Sequence, residues 1–182
     1  MATARRLSSV AARLGGSPVV APSGRAAKLA RMSDSQAQKP EGPTEFHIRD
    51  LDDADLAPVI ALWREAGVSR PWNDPETDIA FARKGPHSTV LVAEAAGQVL
   101  ATAMVGEDGH RGWVYYVAIA PARQRGGLGR AMMDAAEAWL KRRGVWKMQL
   151  LVRADNEQAR GFYERLGYSD TGAVCFQKII AP

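Results

Sequence analysis

The segment Gln124-Arg125-Gly126-Gly127-Leu128-Gly129 stands between two stretches of opposite periodicity. Before it, Trp113-Val114-Tyr115-Tyr116-Val117-Ala118-Ile119-Ala120 is a short run rich in aromatic and β-branched residues, closed by Pro121. That composition and length suit a buried strand. After it, Leu128, Met132, Ala135 and Trp139 fall four, three and four apart, which is one face of a helix. A turn that leaves a strand and opens a helix aims several backbone N–H groups at one spot, and the helix dipole adds positive charge there. The three glycines admit positive φ and close approach of a phosphate to the backbone. Arg123, Arg125 and Arg130 add cations around it. The feature therefore predicts an anion site, with a plain packing turn as the alternative.

Two nucleotide motifs are excluded. A Walker A loop needs a Lys-Ser/Thr pair after the glycines, and Leu128-Gly129-Arg130 does not supply one. A dinucleotide fingerprint needs a different glycine spacing and an acidic residue on the next strand, where this chain has Lys147-Met148-Gln149.

Periodicity organises the rest of residues 45–182. Phe46-His47-Ile48-Arg49 alternates like a strand. A helix is predicted from near Asp55, capped by Asp52, Asp53 or Asp55, with Leu56, Val59, Ile60 and Trp63 inward and Gly67 as its stop. A second helix begins at Pro75 or Glu76. Residues 89–94 and 99–105 form two strands joined by a tight Ala-Ala-Gly turn, and Asp108-Gly109 turns into the strand at 113–120. The helix after the glycine-rich turn ends on Lys141, Arg142 and Arg143, with Gly144 beyond. A buried strand is predicted at 146–152. Asp155 and Gln158 form a capping-box-like start for a last helix, whose inner face is Ala159, Phe162, Tyr163 and Leu166. A final hairpin is predicted over 168–180. The order β-α-α-β-β-β-α-β-α-β implies one α+β domain, a mixed and mostly antiparallel sheet with helices on both faces.

Charge narrows the function classes. The net charge is +4, but residues 1–44 carry Arg5, Arg6, Arg13, Arg25, Lys28, Arg31 and Lys39 against Asp34 and Glu41. That segment holds +5, so the remainder is at −1. A nucleic-acid footprint needs a basic face on the domain itself, so no nucleic-acid partner is expected. Residues 1–44 read as a disordered basic extension, Arg- and Ser-rich and acid-poor like a transit peptide, with Met32 as an alternative initiator. No apolar run approaches the ~20 residues of a membrane span, so no membrane partner is expected. The single cysteine, Cys175, excludes an internal disulfide and any CxxC motif, and its apolar surroundings suggest a buried structural thiol.

With its flanks included, the glycine-rich turn resembles motif A of the GNAT superfamily of N-acetyltransferases, Gln124, Gly127 and Gly129 occupying the fixed positions. Val152-Arg153-Ala154-Asp155-Asn156, followed by Gly161-Phe162-Tyr163-Glu164-Arg165-Leu166-Gly167-Tyr168, resembles motif B of that family. Arg70-Pro71-Trp72-Asn73-Asp74-Pro75, Asp108-Gly109-His110-Arg111-Gly112 and Tyr115-Tyr116 resemble the small bacterial YpeA-type acetyltransferases.

The resemblance implies a sheet splayed at its centre, between the 113–120 and 146–152 strands. It implies a cytoplasmic enzyme using acetyl-CoA as co-substrate, with no metal. The pyrophosphate would lie on the turn, held by Gln124, Arg125, Gly126, Gly127, Leu128, Gly129 and Arg130. Val117, Ala118 and Ile119 would line the pantetheine arm, the Val117 N–H facing the developing oxyanion. Asn156 would contact the cofactor, and Tyr163 would return a proton to the departing thiolate. The acceptor would be a small-molecule or protein amine, and a homodimer is common in the family. A non-catalytic acetyl-CoA-binding sensor remains the alternative. Leu151 and Trp113 stand where some members carry a glutamate base, leaving Glu94, Tyr115, Asp108 and His110 as candidates, directly or through water, with a solvated or structural role as the first reading of each. On the acceptor side, Trp72 offers a flat wall and Asp74, Glu76 and Asp78 offer negative charge, although Asn73 and Asp74 before Pro75 also suit a helix cap.

Overall fold

The computed structural model describes residues 45–180. The expected basic extension, residues 1–44, lies outside the described residues. Nine elements follow in order: β1 (His47–Asp50), α1 (Leu56–Glu65), α2 (Pro75–Ala82), β2 (Ser88–Ala95), β3 (Gln98–Glu107), β4 (Gly112–Ile119), α3 (Leu128–Lys141), β5 (Met148–Leu150) and α4 (Glu157–Arg165). Short 3-10 turns at Asp53–Asp55 and Pro121–Arg123 precede α1 and follow β4. The strands stand in the order β1-β2-β3-β4-β5. β1 to β4 pair antiparallel, and β5 joins β4 in parallel. This is the mixed, mostly antiparallel sheet that the periodicity predicts.

The local chemistry explains the turns. Ala96 (φ 50°) and Gly97 (φ 76°) both take left-handed backbone between β2 and β3, as a two-residue hairpin with the twist of the strands requires. The Glu94 carboxylate accepts the Gly97 N–H at 2.6 Å and so clips that turn. Between β1 and α1, Asp55 is buried and bound by Arg49 at 2.5 and 3.0 Å. That hydrogen-bonded guanidinium holds the Asp55 carboxyl below its ordinary range against the opposing effect of burial.

The sheet separates two apolar cores. On one face α3 packs Leu128, Met132, Met133, Ala136, Trp139 and Leu140 against Ala93, Ala101, Ala103, Val105 and Val114. On the other, α1 and α2 pack Val59, Ile60, Trp63 and Ile79 against Val90, Val92 and Ala118. Trp63 is fully buried, and its indole N–H donates to Thr102 Oγ1 at 2.8 Å. Thr102 in turn donates to the carbonyl of Tyr116 at 3.1 Å. No helix among the described residues is long and apolar enough to cross a membrane.

Three expectations fail at the C-terminal side. The strand predicted over 146–152 shrinks to Met148–Leu150, and Trp146 and Leu151 are exposed. The hairpin predicted over 168–180 does not form. Its turn chemistry is present, since Gly172 takes φ 67° and donates to Asp170 at 2.8 Å, yet the flanking residues build no ladder. Period-2 alternation defines a face and not a partner, and a pair of strands without a covering layer is marginal. Cys175 is consequently exposed rather than buried.

The Trp63–Thr102 contact generates a stability prediction. Thr102→Val preserves shape but strands the buried indole N–H, at a cost of about 1–3 kcal/mol. Urea unfolding is expected to show a lower midpoint with an unchanged slope.

Candidate active site

The site is created by an irregularity in β4. Met104 pairs with Tyr115 and Thr102 pairs with Ala118, so two β4 residues, Tyr116 and Val117, oppose the single Ala103. The bulge redirects the side chains. Val114 belongs to the α3 core, Tyr116 packs on the α1/α2 side, and Val117 returns to the α3 side. Tyr116 accepts φ 48°, which costs a bulky residue roughly 1–2 kcal/mol. Bulges sharpen local twist and end pairing. Here β4 and β5 pair only from Gly112↔Met148 to Val114↔Leu150. Beyond Val114 the two strands share no ladder, and Val117, Ala118 and Ile119 lie along the open side of the split. The sheet thus parts where the family resemblance implies, between β4 and β5.

The glycine-rich turn closes the end of that opening. Residues 124–127 are exposed, and α3 starts at Leu128 with Gly127 as its N-cap in left-handed backbone, φ 84°. No side chain caps this helix. By contrast, Asp74 caps α2 and Asn156 caps α4. An uncapped helix start with exposed amides leaves donors free for an anion. The division of labour among the three glycines differs from the sequence expectation. Only Gly127 uses positive φ; the other left-handed residue is Arg125, at φ 64°, and Gly126 is not left-handed. Gly129 serves packing: a Cβ there would lie 3.1 Å from the Phe162 ring. It lets α4 approach the first turn of α3. Arg130, also exposed, reaches the Arg165 carbonyl at 3.4 Å.

α4 contributes Asn156 and Tyr163. Asn156, rather than the expected Asp155, is the N-cap, and its Oδ1 accepts the Ala159 N–H at 3.0 Å. Its amide Nδ2 therefore remains for a further partner. Tyr163 packs edge-on against Phe162 and Tyr168, at ring separations of 5.0 and 5.7 Å. It lines a cleft of about 960 Å³ together with Tyr115, Leu150, Leu151 and Val152. The turn at 124–130 is not part of that lining. Tyr116 and Tyr168 commit their hydroxyls to Asp78 and Glu137. The Tyr163 hydroxyl has no partner among the described residues, and none of their buried side-chain polar atoms is unpaired, so it reaches solvent in the cleft. Burial raises its pKa above the ordinary tyrosine value.

The candidate bases divide sharply. Both Glu94 oxygens are engaged, one by Gly97 N–H and one by His47 at 2.9 Å. Asp108 accepts from Arg111 N–H, Trp113 Nε1 and His110 N–H, which together hold it down at about 2. Glu94 sits near the end of β2 and Asp108 in the turn after β3, and His110 is an exposed residue of that turn. Tyr115 alone among the four lines the cleft. His47 and His87, which show no partner in the sequence spacing, meet Glu94 and Glu107 across the sheet. In the segment expected to meet the acceptor, Asp74 is the α2 cap, accepting from Glu76 N–H at 3.2 Å and Thr77 Oγ1 at 2.5 Å. Trp72 stands exposed beside it. Asp78 instead accepts the Tyr116 hydroxyl at 2.5 Å, and Asn73 Nδ2 donates to that hydroxyl at 2.9 Å. No periodicity argument finds this contact; its trace is the Tyr115-Tyr116 pair, where adjacent like residues interrupt strict alternation.

Comparison with known proteins agrees with this geometry. The model of the acetyltransferase (GNAT) family matches residues 56–168. The ribosomal-protein-S18-alanine N-acetyltransferase from Escherichia coli is 29% identical over 68% of this chain and 77% of that one, with a TM-score of 0.59. Glucosamine-6-phosphate N-acetyltransferase from Arabidopsis thaliana is 23% identical over 75% and 99% of the two chains, with a TM-score of 0.60. An aminoglycoside N-acetyltransferase, AAC(6')-Iy, solved in complex with CoA, is 15% identical over 78% and 99%, with a TM-score of 0.66. The last two likenesses speak to the fold.

The double use of Asn156 can be separated experimentally. Asn156→Ala removes the α4 cap and is expected to cost about 1 kcal/mol in denaturant unfolding. Asn156→Asp keeps the capping oxygen and is expected to recover that loss while removing the amide donor.

Proposed function

The chain belongs to the GNAT acetyltransferase family and is an acyltransferase, and we propose that it moves an acetyl group directly from acetyl-CoA to a primary amine. The observation that carries this reading is the uncapped start of α3 at the end of the β4–β5 split. A pyrophosphate suits the amides of the exposed Arg125, Gly126, Gly127 and Arg130 and of the half-buried Gly129, with Gln124 beside them and Leu128 anchoring the helix start in the core. The pantetheine arm then enters the split as an added strand, against Val117, Ala118 and Ile119. Asn156 offers it the amide Nδ2 that capping leaves over.

The reaction needs two kinds of help. The Val117 N–H stabilises the oxyanion that forms when the neutral amine attacks the thioester carbonyl. As the new C–N bond replaces the C–S bond, the amine nitrogen gives up a proton to solvent, while Tyr163 donates its own proton to the departing thiolate and is reprotonated from solvent. The raised pKa of Tyr163 makes it a weak acid, so it acts by placement in the cleft. The acceptor approaches from the Trp72 side, where the α1–α2 segment meets β4. The proposed setting is cytoplasmic, and the acceptor is a small molecule or a protein.

A thiol-release assay with acetyl-CoA and a panel of amines tests the reading. Tyr163→Phe is expected to lower kcat by roughly 10²-fold or more while CoA affinity is retained. An unchanged kcat would remove Tyr163 from the mechanism. A donor works only while protonated, and burial raises this phenol. The alkaline fall in kcat that it governs is therefore expected above the ordinary tyrosine value of about 10, not below it.

A further inference from the structure

Tyr116 is held at both ends. Its ring lies flat on the buried Trp63, with centroids 3.9 Å apart and planes 10° from parallel. Its carbonyl accepts from Thr102, which itself accepts from Trp63. Its hydroxyl donates to Asp78 on α2 and accepts from Asn73 in the α1–α2 segment. Burial and the Asp78 hydrogen bond push this phenol up to about 12, so it stays a donor across the working pH range. Between these anchors its backbone sits at φ 48°, a conformation bulky residues avoid unless the surroundings impose it. Left-handed backbone here is what turns the next residue, Val117, toward the α3 side of the sheet. A strained residue anchored on three elements, one step before the proposed oxyanion donor, has a role beyond filling the core.

We infer that Tyr116 is a positioning residue: through its Asp78 and Asn73 hydrogen bonds it locks the β4 bulge that aims the Val117 N–H at the acetyl carbonyl. The inference rests on the reading of Val117 given above. It also joins the two halves of the site. Asn73 neighbours the exposed Trp72 on the acceptor side, and the chain Asn73–Tyr116–Val117 runs from there to the donor side. Release of the hydroxyl leaves the stacked ring in place but frees the bulge to relax toward regular strand. The effect belongs to the oxyanion, and CoA, which is gripped at the turn, is bound as before.

The test is Tyr116→Phe, which keeps the stack on Trp63, alongside Asp78→Ala and the double variant. Two readouts are needed: steady-state kinetics, and the infrared C=O stretch of enzyme-bound acetyl-CoA labelled at the acetyl carbonyl. The wild-type protein is expected to lower that frequency relative to free acetyl-CoA. Tyr116→Phe should lose most of the lowering and reduce kcat about 10- to 100-fold, with KM for acetyl-CoA changed by less than about twofold. Asp78→Ala should reproduce the loss, and the double variant should add little to either single change. A wild-type frequency shift that survives in Tyr116→Phe with unchanged kcat overturns the positioning role and leaves the acetyltransferase reading standing. Equal losses in kcat and in CoA affinity, or additive single effects, overturn it in favour of a general structural role. No shift in the wild-type protein overturns the Val117 assignment and this inference with it.

Discussion

The bulge in β4, where Tyr116 and Val117 together face Ala103, is the constraint on which the rest of the site depends. A regular strand in this position would continue its ladder with β5 and leave no gap. One extra residue instead ends the parallel pairing after Val114 and opens the space that the site occupies. It also reverses the side-chain parity within two residues, so Tyr116 serves one core and Val117 the other. The cost is a left-handed Tyr116, balanced by stacking on Trp63 and by hydrogen bonds at both ends of the residue. The buried Trp63–Thr102 contact belongs to the same arrangement, which makes a core interaction and a site-shaping interaction one object.

The helix ends show a second pattern. α2 and α4 carry their own side-chain caps, Asp74 and Asn156, and need nothing further. α3 carries none, although it has the longest apolar face and the deepest burial of the four helices; α1, likewise without a side-chain cap, runs on directly from the 3-10 turn at Asp53–Asp55. Its stability comes from packing on the sheet rather than from its N-terminus, so that end is free to meet an anion. Gly129 adds to this by letting Phe162 of α4 close onto the first turn, which brings the helix bearing Tyr163 and Asn156 up to the turn.

Sequence reasoning about single residues succeeded where the chemistry is local and failed where it is relational. The Asp74 cap, the Gly127 conformation and the Ala96-Gly97 hairpin follow from neighbours a few residues away. Glu94 and Asp108 take the structural role weighed against a catalytic one, through backbone N–H groups and an indole within five residues and, for Glu94, through His47 on the neighbouring strand, which only the fold brings near. Asn156 rather than Asp155 caps α4, a one-residue difference that periodicity cannot resolve. The C-terminal stretch had strand-like alternation and the right turn, yet pairing needs an available edge and a covering layer, and neither is written in the alternation itself.

The sequence by itself determined the α+β order as far as the last helix, the two apolar faces and the strand–turn–helix at Gln124–Gly129, because periodicity, capping and glycine content act over a few residues. It also carried two motifs at a separation that identifies the family. Tertiary structure alone decided where β4 breaks its register, which carboxylates are engaged, and that Tyr116 ties the α1–α2 segment and α2 to the backbone beside Val117. The register shift and the Tyr116 contacts depend on residues far apart in the chain meeting in space, as Asn73 and Tyr116 do across 43 positions, and no local pattern encodes such a meeting.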